Sequence, residues 1–101
     1  MQYAWKITKD LFDKDAPGNA TGTIGPRNAP DELVAKLNAG EGVAFRLLDD
    51  DKEVYAEGRF ITADDTYGGE EDFAPLEDFG TPNWGCTEIQ YKNNSGAWET
   101  L

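Results

Sequence analysis

The sequence contains no histidine, one cysteine and one serine among its 101 residues. Histidine is the commonest general base near neutral pH and the commonest metal ligand, so its absence argues against much of acid–base and metal chemistry. Cys86 has no histidine to activate it, and Ser95 lies in a turn-forming Asn-Ser-Gly run. Nucleophilic triads are therefore excluded, and we expect a protein that is not an enzyme and needs no cofactor or metal.

Two other enzymatic patterns are weak. A pair of carboxylates can hydrolyse a glycosidic bond, but among twenty acids such pairs occur by chance. The run 16–30 is rich in glycine and proline, yet it lacks the lysine pattern of a phosphate-binding loop. Neither pattern indicates catalysis.

The single cysteine also excludes an internal disulfide, which favours a reducing compartment. The first ten residues lack the basic stretch and apolar run of a secretory leader. Nor does any apolar run reach the roughly 18 residues that a membrane-spanning helix needs. These absences predict a cytoplasmic protein outside the membrane.

Positive charge is scarce in one part of the chain. Residues 49–88 contain thirteen acids and two bases, whereas the other 61 residues contain seven of each. The entire net charge of −11 therefore belongs to one segment. Such a chain is repelled by anionic lipids and by nucleic acid phosphates, so we expect no direct binding to either.

The residues that are present indicate a folded body. Twelve aromatic side chains are far more than disordered acidic chains usually carry, and 101 residues fit a single domain, 1–101. Alternation of apolar and polar residues predicts strands over 2–8, 43–48, 53–61, 87–92 and 97–101. The second and third of these form one hairpin and the last two form another.

A short helix is predicted after a long loop over 16–30. Pro30 suits the first helical position, and Gly40 is placed to end the helix in a left-handed conformation. At about nine residues the helix needs a sheet to lie on. The prediction is an α+β fold, with an antiparallel sheet of four or five strands and one short α-helix packed on it.

Residues 62–86 show little regular pattern apart from a strand-like run at 73–76. A connection of this length is usually functional or disordered. Four apolar side chains predict that it is held against the body: Phe73, Leu76, Phe79 and Trp84.

The acids of this region occur in doublets and triplets with aromatic rings between them, and the rest of the chain is already charge-balanced. Solubility alone does not require such a concentration. We interpret the segment as a surface for a partner protein with a Lys/Arg groove built for phosphates, since closely spaced carboxylates resemble the charge spacing of DNA. Arginine planes or stacking platforms of that groove would receive the rings. The candidate partner-binding residues are Asp49, Asp50, Asp51, Asp64, Asp65, Tyr67, Glu70, Glu71, Asp72, Phe73, Glu77 and Asp78.

Together, small size, acidity and missing catalytic groups make the chain similar to the small acidic inhibitors of phages and plasmids, which include DNA-mimic antirestriction proteins and several anti-CRISPR proteins. The stretches that carry the resemblance are DDDKE (49–53), DDTYGGEED (64–72) and LEDF (76–79). It is a resemblance of physical class, which unrelated folds share. It implies a cytoplasmic, non-enzymatic blocker of a nucleic-acid-binding machine.

Two alternatives stay open. The acidic loop could be only a solvated surface on a small bacterial binding or structural module. It could also hold calcium through oxygen ligands in an irregular site over 64–72. Regular calcium loops beginning at Asp49 or Asp64 fail, because position twelve would be Phe60 or Pro75 instead of glutamate.

Overall fold

A computed structural model describes residues 2–11, 20–63 and 70–101, except for the side chain of Glu70. In these residues the chain forms one six-stranded antiparallel sheet with the strand order β2-β1-β4-β3-β5-β6. The strands are β1 (Tyr3–Asp10), β2 (Ile24–Gly25), β3 (Val43–Leu48), β4 (Val54–Thr62), β5 (Glu88–Lys92) and β6 (Trp98–Thr100). The predicted α+β class and both hairpins are confirmed. The sheet has six strands instead of the four or five predicted.

The additional strand is β2, which pairs with β1 through Gly25 opposite Trp5 and Ile24 opposite Lys6. It lies inside the predicted loop 16–30, of which residues 16–19 are outside the described ranges. Two residues are too few to show an alternating pattern, so this strand could not be read from the sequence.

Helix α1 (Asp31–Asn38) has the predicted place and length. Pro30 is not its first residue but precedes it in an extended conformation, with ψ 137°. At the other end Gly40 has φ +87°, and the amides of Gly40 and Glu41 donate to the carbonyl oxygens of Leu37 and Lys36, both at 3.0 Å. This is the Schellman arrangement that the glycine predicts.

Residues 70–87, here called the crossover segment, lie between β4 and β5 in the chain and lead directly into β5. They form a 3₁₀ turn (Glu70–Phe73), a single π-helical turn (Leu76–Gly80) and the short helix α2 (Thr81–Trp84). The strand expected at 73–76 is therefore wrong. The prediction of one helix missed the second helix, α2. Pro75 and Pro82 prevent one long regular helix, while Gly85 ends α2 at φ +69°.

The crossover segment covers one face of the sheet and α1 covers part of the other. Phe45, Phe60 and Leu47 are almost fully buried beneath the crossover segment, together with Trp5 and Ile7. As predicted, Phe73, Leu76, Phe79 and Trp84 pack against this cluster. On the other face a smaller cluster joins α1 to β1 and β4 through Leu33, Leu37, Ala4 and Ile61.

The larger cluster depends on a glycine in β4. Gly58 lies opposite Phe45 and Ile7, and a β-carbon there would overlap the carbonyl oxygen of Lys6 and the ring of Phe45. A backbone oxygen cannot rotate away as a flexible side chain can. The phenyl ring therefore occupies space that only glycine leaves open.

We predict that Gly58→Ala destabilises the protein by about 1–3 kcal/mol, the usual cost of forcing extra atoms into a packed core. Urea unfolding followed by tryptophan fluorescence measures it. The control is Lys9→Ala at an exposed position of β1, where a change within about 0.5 kcal/mol is expected. Equal stability of Gly58→Ala and the wild type would contradict this packing.

Candidate functional site

A chain of aromatic contacts fixes the crossover segment on the sheet. The Tyr55 ring centroid lies 6.3 Å from that of Trp84, Trp84 lies 4.9 Å from Phe79, and Phe79 lies 5.5 Å from Trp5. Two of these three contacts are edge-on, a favoured geometry for aromatic pairs. The acids of the segment are consequently attached to a packed layer.

Asp78 is held by the first strand. The indole Nε1 of Trp5 donates a hydrogen bond to Asp78 Oδ2 at 3.2 Å, and the Tyr3 hydroxyl approaches the same oxygen at 3.4 Å. Burial raises the pKa of Tyr3, and the charges of Asp78, Glu71 and Glu77 raise it further. Three candidate carboxylates thus act electrostatically on one phenol, and Glu77 and Asp78 are exposed to solvent.

Asp72 and Phe73 differ from their neighbours. The Asp72 side chain is only 6% exposed, and its carbonyl oxygen accepts a 2.7 Å hydrogen bond from the Tyr91 hydroxyl. Phe73 packs on the core. These two residues anchor the segment and contribute little to its outer surface. Four other candidates lie outside the described residues: Asp64, Asp65, Tyr67 and the side chain of Glu70.

The other described candidates form the turn between β3 and β4. Asp49 Oδ1 accepts hydrogen bonds from the amides of Asp51 (2.9 Å) and Glu53 (3.0 Å), and these amides help to lower the Asp49 pKa. Its hydrogen bond with the Tyr55 hydroxyl is the main cause that raises the pKa of Tyr55 to about 12. Asp50 and Asp51 are exposed. The turn is therefore an ordered group of carboxylates.

A contact joins this turn to the end of the crossover segment. The Thr87 hydroxyl donates a hydrogen bond to Asp50 Oδ1 at 2.7 Å. Burial raises the pKa of the nearby Cys86 thiol, and the charge of Asp49 raises it further. The two groups of acids, around Tyr3 and around Tyr55, are thus linked through the crossover segment and its aromatic chain.

One acid has its own counter-charge. Glu88 is 9% exposed and forms an ion pair with Lys52. It also accepts hydrogen bonds from Thr100 Oγ1 and Gln90 Nε2, both at 2.6 Å. The Lys52 bond, followed by these two, lowers the pKa of Glu88 to about 2. Glu88 therefore belongs to the structural network at the end of the sheet.

Four of the described bases lie on the opposite face of the sheet: Lys6, Arg46, Arg59 and Lys92. Arg27 is an exception, because it lines a hollow together with Tyr3, Trp5 and Asp78. The crossover segment contains no lysine or arginine. Arg46 donates from Nε to Gln90 Oε1 at 2.7 Å and stacks on Trp98 at 4.6 Å, on the face away from the crossover segment. Lys92 lies over the same indole. In the strand register Arg46 lies opposite Glu57, whereas Arg59 lies opposite Ala44 and Lys6.

Sequence reasoning missed the side chains that orient the acids. Trp5 and Tyr3 are 73 and 75 residues from Asp78 along the chain, so no local pattern connects them. Tyr55 is one of the rings that lie between the acids in the sequence, but its bond to Asp49 depends on the geometry of the β3–β4 turn. One signal in the sequence was available: the alternation of β1 predicts that Tyr3 and Trp5 lie on the same face of the sheet, where both could contact one carboxylate.

The single cysteine is part of the core. Cys86 is 1% exposed, and burial is the main cause that raises the pKa of its thiol to about 11. The thiol is therefore protonated near neutral pH, which fits its interpretation as a small buried apolar side chain.

Within the described ranges, no group of three or more histidine, cysteine or acidic side chains is arranged to hold a metal ion. Most of the alternative calcium segment, 64–72, lies outside those ranges. Nor do the described residues contain a helix with the length and hydropathy required to cross a bilayer. Comparison with protein-family models, with curated proteins and with solved structures gives no match.

Glu88 predicts a pH-dependent stability. Because folding lowers its pKa from 4.5 to about 2, the unfolded chain takes up this proton first as the pH falls. The stabilisation by ionised Glu88 is therefore complete above about pH 4.5 and lost as the pH falls through about 2. Glu88→Gln should melt a few degrees below the wild type at pH 7, and the two should converge near pH 2.

The control for this prediction is Glu99→Gln, which makes the same charge change at an exposed position of β6. Thermal unfolding followed by circular dichroism at several pH values gives both comparisons. A Glu88→Gln melting temperature that equals that of Glu99→Gln at pH 7 would show that the Glu88 network does not stabilise the fold.

Proposed function

We propose that this protein is a non-enzymatic, acidic interaction module that occupies a basic nucleic-acid-binding groove of a partner protein. It would act as DNA-mimic antirestriction and anti-CRISPR inhibitors act, by taking the place of the nucleic acid. The observation that carries the proposal is the separation of charge, with Glu71, Glu77 and Asp78 on one side of the sheet and Arg46 and Lys92 on the other.

Electrostatics gives the first argument. A groove that binds phosphates presents several lysines and arginines, and a surface with many carboxylates and few bases is attracted to it over the Debye length of about 10 Å. Such complementarity raises association rates and selects against wrong partners. A protein whose acids and bases alternated over one surface would lack this orientation effect.

Preorganisation gives the second argument. Asp78 is positioned by Trp5 Nε1, and Asp49 by two backbone amides. Ordering flexible side chains on binding costs about 0.5–1.5 kcal/mol for each residue. Carboxylates already held by the fold avoid part of that cost.

The aromatic residues give the third argument. Tyr3 lies beside Asp78 and is partly exposed, and Tyr55 and Trp84 border the Asp49 turn. Rings beside carboxylates can accept the planar guanidinium groups of arginine while the carboxylates pair with their N–H groups. Arginine-rich grooves are therefore the chemical class of partner that this side fits.

The test uses two double variants that each remove two negative charges. Glu71→Gln with Glu77→Gln alters the acidic side, and the matched control, Asp31→Asn with Glu32→Gln, alters two exposed acids of α1. Asp78 is left intact because it contacts the core residue Trp5. Each protein is immobilised and exposed to a bacterial lysate at low and at high salt, with and without duplex DNA as competitor.

We expect the wild type and the α1 variant to retain the same nucleic-acid-binding proteins at low salt and to release them at high salt or with DNA. The acidic-side variant should retain about tenfold less, since each charge contributes up to about 1 kcal/mol. Equal retention by all three proteins, or retained proteins without a basic nucleic-acid surface, would contradict the proposal and favour a merely solvated acidic surface.

A further inference from the structure

A row of cross-strand neighbours, two of them basic, crosses the sheet on the face away from the crossover segment. Arg59 of β4 pairs with Ala44 of β3, and Lys92 of β5 pairs with Trp98 of β6. The β3–β5 register, in which Phe45 faces Tyr91, places Ala44 beside Lys92. Four neighbouring strands therefore contribute Arg59, Ala44, Lys92 and Trp98 to one row.

The middle of the row is occupied by a small side chain, that of Ala44. Neighbouring strands lie about 4.8 Å apart, so the backbones of Arg59 and Lys92 are about 10 Å apart with only the methyl group of Ala44 between them. The two long cationic side chains flank this small residue. A shallow hollow results, lined by Gly42, Ala44, Arg59, Lys92 and Asn94.

The position of the Arg59 guanidinium is fixed at the rim of this hollow. Its Nη1 donates a 3.0 Å hydrogen bond to the carbonyl oxygen of Gly42. Lys92 is exposed, and its ammonium lies 5.8 Å from the centroid of the Trp98 ring. Among the residues that the structure describes, neither cation takes part in an ion pair.

The surroundings of the hollow are also basic. Lys6 continues the row beyond Arg59, and Arg46 lies in the next row, where Glu57 is its cross-strand neighbour. Helix α1 packs on β1 and β4, and Lys92 of β5 is exposed on this face. A chain with a net charge of −11 thus carries a local cluster of cations, of which Lys92 is exposed and Lys6, Arg46 and Arg59 are half-buried.

We propose that this hollow binds the phosphate group of a small molecule. The planar guanidinium of Arg59 offers donors in a fork that matches phosphate oxygens, and Lys92 supplies a second positive charge from the opposite side. The ligand is small because the total charge of the protein repels long polyanions, whereas a single phosphate over Ala44 meets mainly the local cations. This site is independent of the acidic side and of its proposed partner.

The test is a titration of the ¹⁵N-labelled protein with inorganic phosphate, followed by amide chemical shifts at constant ionic strength maintained with sodium chloride. We expect saturable shifts confined to residues around Gly42, Ala44 and Lys92. Arg59→Gln and Lys92→Gln should each weaken phosphate binding about tenfold, as the loss of a charge-assisted hydrogen bond does. The exposed Lys92 can be replaced without disturbing the contact between Arg59 and Gly42.

The matched control is Lys36→Gln, which removes one positive charge from the exposed side of α1 and should leave the affinity unchanged. Shifts that do not saturate, or equal weakening by Lys36→Gln and Lys92→Gln, would overturn the proposal, because either result means general charge screening. Tighter binding of a short oligonucleotide than of phosphate would contradict the limit to small ligands.

Discussion

The packing of the crossover segment on the sheet is the contact on which the other features depend. Trp5 lies at its centre, since the indole packs on the core, touches Phe79 and donates to Asp78. One side chain thus joins the hydrophobic core to the acidic surface. If the segment were detached, the ring cluster would be exposed, and the carboxylates around Tyr3 would lose their fixed positions.

This arrangement explains how so acidic a chain can fold although its described residues form few ion pairs. The described acids of the crossover segment, other than Asp72, lie at its outer side, where water screens their repulsion. Glu88, which is nearly buried, is the acid with both a lysine partner and two further hydrogen bonds. Exposed carboxylates remain hydrated, whereas a buried one needs hydrogen-bonding or charged partners. The fold therefore leaves the outward-facing acids available for the basic partner that we propose.

Local patterns in the sequence predicted the regular parts of the fold. Strand β3 has the predicted bounds, 43–48, and Gly40 ends α1 as expected. The helical turns of the crossover segment were not predicted, because prolines within a stretch of sequence indicate that a helix is interrupted there. Phe73, Leu76 and Phe79 nevertheless recur every three residues, which is closer to a helical than to a strand period. The acidic candidates could be chosen from composition, but Asp72 is buried, and Asp78 depends on a tryptophan distant in sequence. The row from Arg59 to Trp98 follows only from strand register, which a single sequence does not define.

The central claim is that the two sides of the sheet carry different local potentials, strongly negative on the side of the crossover segment and near zero or positive on the other. NMR relaxation by cationic and by anionic nitroxide cosolutes measures the potential near each amide proton directly. The account predicts a strongly negative potential around Glu71, Glu77, Asp78 and the Asp49 turn, and a value near zero or positive around Ala44 and Lys92. A potential that is equally negative at all these positions would contradict it.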